Sequence, residues 1–158
     1  MADEQSADPV MVRIMAAVER SQSGDAAGAR ADFAVIWGDV GPEADPFHRC
    51  TLAHYAADVQ DDLREELAWD VYALEAAQDV TDARAKEHHA SLAIEGFFPS
   101  LHLNLAEDYR KLRDVENARR HIAAAREHLS VLPEYGYGAM IRAGVDRVGA
   151  LLDAETAG

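Results

Sequence analysis

Apolar residues recur along the chain with the 3.6-residue period of an α-helix, and no stretch shows the strict alternation of a β-strand. The period is clearest from residue 63 to residue 77, where one helix face carries Leu63, Leu67, Val71 and Leu74. We therefore predict that these four side chains form the buried face of that helix. The frequent use of alanine, the strongest helix former, points to the same all-α class.

Turn-forming residues divide this pattern into seven to eight helices. Pro9 and Pro46 each follow an aspartate, which is typical of a helix start, and Gly41-Pro42 is typical of a helix end. The predicted helices cover about 9–22, 26–40, 47–59, 63–77, 82–93, 98–112, 115–129 and 139–154. We predict a turn at Gly136-Tyr137-Gly138 before the last helix. Residues 1–8 are predicted to be a disordered tail that ends in a helix cap, and residues 9–158 a single helical domain.

The segment from Leu101 to Pro133 carries the most specific pattern. Small, large and aromatic residues alternate at fixed positions: His102, Leu105, Ala106, Tyr109, Ala118, Ile122 and Ala125. This order resembles one tetratricopeptide (TPR) repeat, although Arg113 stands where the turn glycine is usual. The hairpins at about 9–40 and 47–77 resemble the repeat more weakly. A helical hairpin of this kind buries its apolar face only by stacking on neighbours.

The resemblance implies a TPR-like right-handed α-solenoid of antiparallel helical hairpins, about three degenerate repeats long, with a C-terminal capping helix. In that family the first helix of each hairpin lines a concave groove that binds a peptide or a partner helix. The implied function is a protein–protein interaction scaffold or adaptor. The positions carried over are His54 and Asp58 in the second hairpin, and Ser100, Leu103, Asn104, Glu107, Arg110 and Lys111 in the third.

An alternative from another class depends on His54 and Asp58, which are four residues apart and share a helix face. A carboxylate beside a histidine can orient it for metal binding or proton transfer. The alternative is therefore a small-molecule-binding regulator or a small enzyme with a pocket centred on this pair. Two ligands fall short of the four that structural zinc needs, and no catalytic motif occurs. We expect no enzyme activity, no cofactor and no metal.

Other candidate residues receive structural interpretations. We expect Trp37 and Trp69 to pack between helices, and Cys50 to be a semi-buried structural thiol. His121 and His128, which lie among arginines, are expected on the surface. Ser23-Gly24-Asp25 is interpreted as a break between helices. The segment from Gly24 to Gly28 lacks the lysine and the preceding strand of a phosphate-binding loop.

The charge of the chain limits the classes of partner it could bind, and its cysteine content bears on its location. The formal net charge of -14 disfavours nucleic acid and anionic membranes, and it could attract a basic protein. No apolar run approaches the roughly 20 residues of a membrane span, and the acidic start of the chain does not resemble a signal peptide. The single cysteine fits a cytoplasmic location.

A short repeat array also exposes apolar ends, so a homodimer is a further expectation. The excess of arginine over lysine suggests a bacterial source.

Overall fold

The computed structural model describes residues 8–80 and 96–157, and every regular element in those ranges is helical. The helices are α1 (Pro9–Gln22), α2 (Ala26–Val40), α3 (Pro46–Ala57), α4 (Leu63–Ala77), α5 (Phe97–Lys111), α6 (Val115–His128) and α7 (Gly136–Thr156), with a 3-10 turn at Leu129–Val131. The all-α class is thus confirmed for this part of the chain. The helix predicted at 82–93 lies outside the described residues. None of the described helices combines the length and the hydropathy that spanning a membrane requires.

Aspartate residues begin most of these helices. Five of the seven described helices have an aspartate N-cap whose carboxylate accepts a hydrogen bond from a backbone N–H of the first turn, namely Asp8, Asp25, Asp45, Asp62 and Asp114. Such a cap satisfies a donor that the helix leaves unpaired, and it stabilises the helix by about 1 kcal/mol. These local signals explain why most predicted helix starts agree closely with the observed ones.

The helices pack in pairs, and the pairs pack on each other. α1 lies against α2, α3 against α4, and α5 against α6. α3 also contacts both α1 and α2, α5 contacts α4, and α7 contacts both α5 and α6. Each hairpin therefore rests on the hairpin before it, and α7 covers the last one.

Three clusters of buried side chains hold these helices together. The first joins α1, α2 and α3, the second joins α3, α4 and α5, and the third joins α5, α6 and α7. Trp37 and Trp69 pack against both the first and the second cluster, with their rings edge-on and the centroids 5.0 Å apart. The prediction that the two tryptophans pack between helices is confirmed.

The buried face of α4 differs from the prediction. Its buried residues are Asp70, Ala73, Ala76 and Ala77, whereas Leu63 is 37% exposed. The other three predicted residues, Leu67, Val71 and Leu74, are only partly buried. The physical reason is that α4 lies between α3 and α5, and alanine lets both helices approach closely. The predicted orientation was therefore wrong in part: Leu74 packs against the second cluster, but the buried face also brings Asp70 into the interior.

The start of α7 and the turn between α5 and α6 both contain residues with positive φ. The predicted turn at residues 136–138 is wrong, because α7 already begins at Gly136, which enters the helix with φ 58°. Gly138 is buried, and a Cβ there would collide with the carbonyl of Pro133. In the turn between α5 and α6, Arg113 has φ 65°, in the left-handed region that favours glycine. An arginine therefore occupies a strained conformation in this turn.

Candidate functional site

An open pocket of about 560 Å³ lies between α3, α5 and α7. Five of the eight predicted site residues line it: His54, Asp58, Ser100, Leu103 and Asn104. Helical spacing explains their convergence, because His54 and Asp58 are one turn apart at the end of α3, and the other three follow the i, i+3, i+4 rule on α5. The Nδ2 atom of Asn104 lies 3.4 Å from the Nδ1 atom of His54, so the amide donates to the ring and connects the two helices.

The electrostatics of the pocket are set by burial. Desolvation lowers the pKa of His54, and the nearby charge of Asp58 opposes that change. Burial likewise raises the pKa of Asp58, with His54 lowering it and Glu66 raising it further. His54 is therefore a neutral ring at neutral pH, suited to accept or donate a hydrogen bond. It does not supply a positive charge to a ligand.

Helix α7 forms the third wall of the pocket, although the sequence predicted only a cap there. It contributes Tyr137, Met140, Ile141, Ala143, Gly144 and Arg147. A Cβ at Gly144 would lie 2.8 Å from Cδ2 of Leu103, so the glycine lets α7 approach α5 closely. The spacing of Tyr137, Met140 and Ile141 is the sequence signal that could have identified this face.

Three predicted site residues lie outside the pocket lining. Arg110 donates to both carboxylate oxygens of Glu107, at 2.8 and 2.9 Å, and to Glu155 at 2.6 Å. The hydrogen bonds from Arg110 are the main reason that the pKa of Glu107 is lowered. The Nζ atom of Lys111 lies 4.0 Å from Oε1 of Glu66. The charge of Arg110 is thus already engaged by two carboxylates.

A group of acidic residues that the sequence analysis missed lies between α4 and α5. Glu66, Asp70 and Asp108 each place one carboxylate oxygen within 4.8 Å of the others. Asp70 is 3% exposed and Asp108 is 1% exposed. Burial, as the largest cause, raises the pKa of Asp70 to about 7 and the pKa of Asp108 to about 11. The wrong orientation predicted for α4 concealed this cluster.

A second unpredicted group contains histidines. His102 stacks on both His121 and His128, and Phe98 and Tyr109 extend the stack at its two ends. The expectation that His121 and His128 lie exposed on the surface was wrong. Both are partly buried, because they stack against aromatic rings on α5. Burial lowers the pKa of His102 to about 4 and also lowers the pKa of His121.

Cys50 is more deeply buried than the semi-buried thiol that the sequence predicted. Its side chain is buried, and desolvation raises the pKa of the thiol to about 12. A thiol in that state is protonated at neutral pH and is a poor nucleophile.

Comparisons with protein-family models, with curated proteins and with solved structures found no match for this chain. The functional interpretation of the pocket therefore depends on its own geometry and chemistry.

Proposed function

We propose that this chain is a TPR-like interaction module that binds a short peptide segment of a partner protein in the pocket between α3, α5 and α7. The observation that carries the proposal is the convergence of His54, Asp58, Ser100, Leu103 and Asn104, all carried over from the concave face of TPR hairpins, on one pocket. The packing of each hairpin on the preceding one supports the solenoid arrangement, and α7 would be its capping helix.

The pocket chemistry suits a peptide with an apolar side chain and an acidic group. Leu103, Met140 and Ile141 offer an apolar wall, and Met140 is 62% exposed there. Arg147 supplies a positive charge, which forms no ion pair within the described residues, and charge-assisted hydrogen bonds to a carboxylate are strong. Asp58 lies in the same pocket and suits a donor on the peptide. The pocket therefore carries both signs of charge and does not specifically favour a basic partner.

A second candidate function is binding of a small polar molecule by the same pocket. A volume of about 560 Å³ lies within the range of about 300–1,000 Å³ that is typical of small-molecule sites. The neutral ring of His54 beside Asp58 would then orient the ligand. The chain would act as a ligand-binding regulator, and the pocket would be its sensor.

Peptide display on the purified chain tests the proposal, with two variants of α7 as a matched pair. Ala143 lines the pocket and Ala150 does not, yet both are exposed on the same helix. Peptides selected by the wild type should bind the Ala143→Phe variant at least about tenfold more weakly, because the ring fills the pocket. They should bind the Ala150→Phe variant normally.

Equal binding by both variants would exclude the pocket as the peptide site. A thermal-shift screen with metabolites separates the second candidate from the first. If a metabolite stabilises the wild type but not Ala143→Phe, and no peptide is selected, the regulator function replaces the interaction module.

A further inference from the structure

The carboxylates of Glu66, Asp70 and Asp108 converge with little positive charge to neutralise them. Glu66 and Asp70 are one helical turn apart on α4, and Asp108 faces them from α5. One oxygen of each lies within 4.8 Å of one oxygen of both others. Among the described residues, the one ion pair of the cluster is with Lys111, whose Nζ atom lies 4.0 Å from Oε1 of Glu66, the most exposed of the three acids. The two aspartates form no ion pair within the described part of the chain.

A second observation is that two buried oxygens in this cluster lack a partner. Oδ1 of Asp70 and Oδ2 of Asp108 form no hydrogen bond with any described residue. Both side chains are more than nine-tenths buried. Buried polar atoms in proteins are nearly always paired, and a buried unpaired charge is costly. These oxygens therefore need either protons or a cation.

We propose that Glu66, Asp70 and Asp108 bind one hard divalent cation. Ca²⁺ is favoured because it accepts several carboxylates in irregular geometry, whereas Mg²⁺ demands near-ideal octahedral geometry. Calcium binds carboxylate oxygens at about 2.3–2.6 Å, so two oxygens on opposite sides of one ion are about 5 Å apart. A mutual spacing within 4.8 Å is compatible with three oxygens that share one such ion. Glu66 has a side chain that is 24% exposed, and water can complete the coordination from its side.

Glu66 and Asp70 belong to α4 and Asp108 to α5, so a bound ion would bridge the two helices and hold them together. Asp108 is one turn from Asn104 on α5, so the ion would also fix one wall of the pocket.

Thermal melts of the full chain test the proposal. The protein is stripped with a chelator, transferred to chelator-free buffer, and melted with CaCl₂, MgCl₂ or MnCl₂, each against NaCl of equal ionic strength. At about 100 times the Kd, we expect Ca²⁺ to raise Tm by about 5–10 °C. The Asp70→Asn and Asp108→Asn variants keep the side-chain shape and should lose this shift. The Asp146→Asn variant, altered at an exposed site on α7, should keep it.

The Glu66→Gln variant is tested by calorimetric titration. Because Glu66 is partly exposed, this substitution does not disturb the buried core. The Ca²⁺ affinity of the variant should fall at least about tenfold, since one of three charged ligands is lost. Two results would overturn the proposal. If no cation shifts Tm beyond the NaCl control, protons alone neutralise the cluster. If both asparagine variants keep the wild-type shift, the cation binds elsewhere on the acidic surface.

Discussion

The Nδ1 atom of His102 lies 3.0 Å from the Nδ1 atom of His121, so the N–H of one ring donates a hydrogen bond to the other ring across the hairpin of α5 and α6. The two rings are also stacked, with centroids 5.2 Å apart. This contact requires that at least one ring be neutral, since a fully protonated pair would have two donors facing each other. The hairpin is therefore built around uncharged histidine.

The first prediction is that acid weakens the fold through this pair. Because the pKa of His102 is lowered to about 4 in the folded chain, the unfolded chain binds more protons between about pH 6.5 and pH 4. Stability from this group is complete above pH 6.5 and is lost as the pH falls through that window. In urea unfolding, the free energy of unfolding of the wild type should fall between pH 7 and pH 5 by roughly 1 kcal/mol more than that of His102→Gln. Parallel pH profiles for the two proteins would contradict it.

The second prediction concerns the turn between α5 and α6. Arg113 is exposed and has φ 65°, a conformation that costs a non-glycine residue about 1–2 kcal/mol. Arg113→Gly should raise the free energy of unfolding by about 0.5–1 kcal/mol, after the larger entropy of the unfolded glycine chain is deducted. Denaturant unfolding measures the change. Arg113→Ala is the matched control, since it removes the same side chain without relieving the backbone, and an equal gain from alanine would refute the strain argument.

The third prediction compares two arginines near the pocket. Arg147 lines the pocket, whereas Arg110 is held by Glu107 and Glu155. Arg147→Gln should weaken the binding of selected acidic peptides by about tenfold. Arg110→Gln should leave that affinity unchanged and lower stability, since it frees two carboxylates. Fluorescence anisotropy with one labelled peptide measures the affinity of both variants. If Arg110→Gln weakened binding more than Arg147→Gln, the binding site would lie along Arg110 instead.

The fourth prediction is that Cys50 is inert in the folded chain. Its side chain is 6% exposed, so a thiol reagent cannot easily reach the sulfur. Burial also raises the pKa of the thiol to about 12, so the reactive thiolate is scarce at neutral pH. The rate of labelling should be at least about 100-fold lower in the native protein than in guanidinium chloride. Rapid native labelling would indicate that α3 opens readily from its neighbours.

Much of the fold could be predicted because its signals are local. An aspartate before a proline, as at Asp8 and Asp45, specifies a helix start within a few residues. The rotation of a helix about its axis is different, because neighbours decide which face is buried. α4 buries Asp70 and three of its four alanines while Leu63 remains exposed, an outcome that depends on α3 and α5.

The candidate site divides in the same way. The resemblance to TPR hairpins placed His54 and Asn104 on faces that converge, because both depend on helical spacing. It could not predict Arg147, since the approach of α7 depends on Gly144 and on where the chain turns after Leu132. Asp108 was missed because its burial requires the particular contact between α4 and α5.

The aspartates that begin five of the helices change how the acidity of this chain should be understood. Each carboxylate accepts a bond from a backbone N–H at the positive end of a helix, so the helix dipole partly offsets its field nearby. Desolvation raises the pKa of Asp8, but hydrogen bonds led by the one from His48 lower it overall; in Asp25 and Asp114 the bonds from Gly28 and Asn117 are the main cause of a lowered pKa. These carboxylates therefore stay ionised and the net charge remains -14, but a partner that approaches the start of a helix would meet a weaker local field than the composition implies.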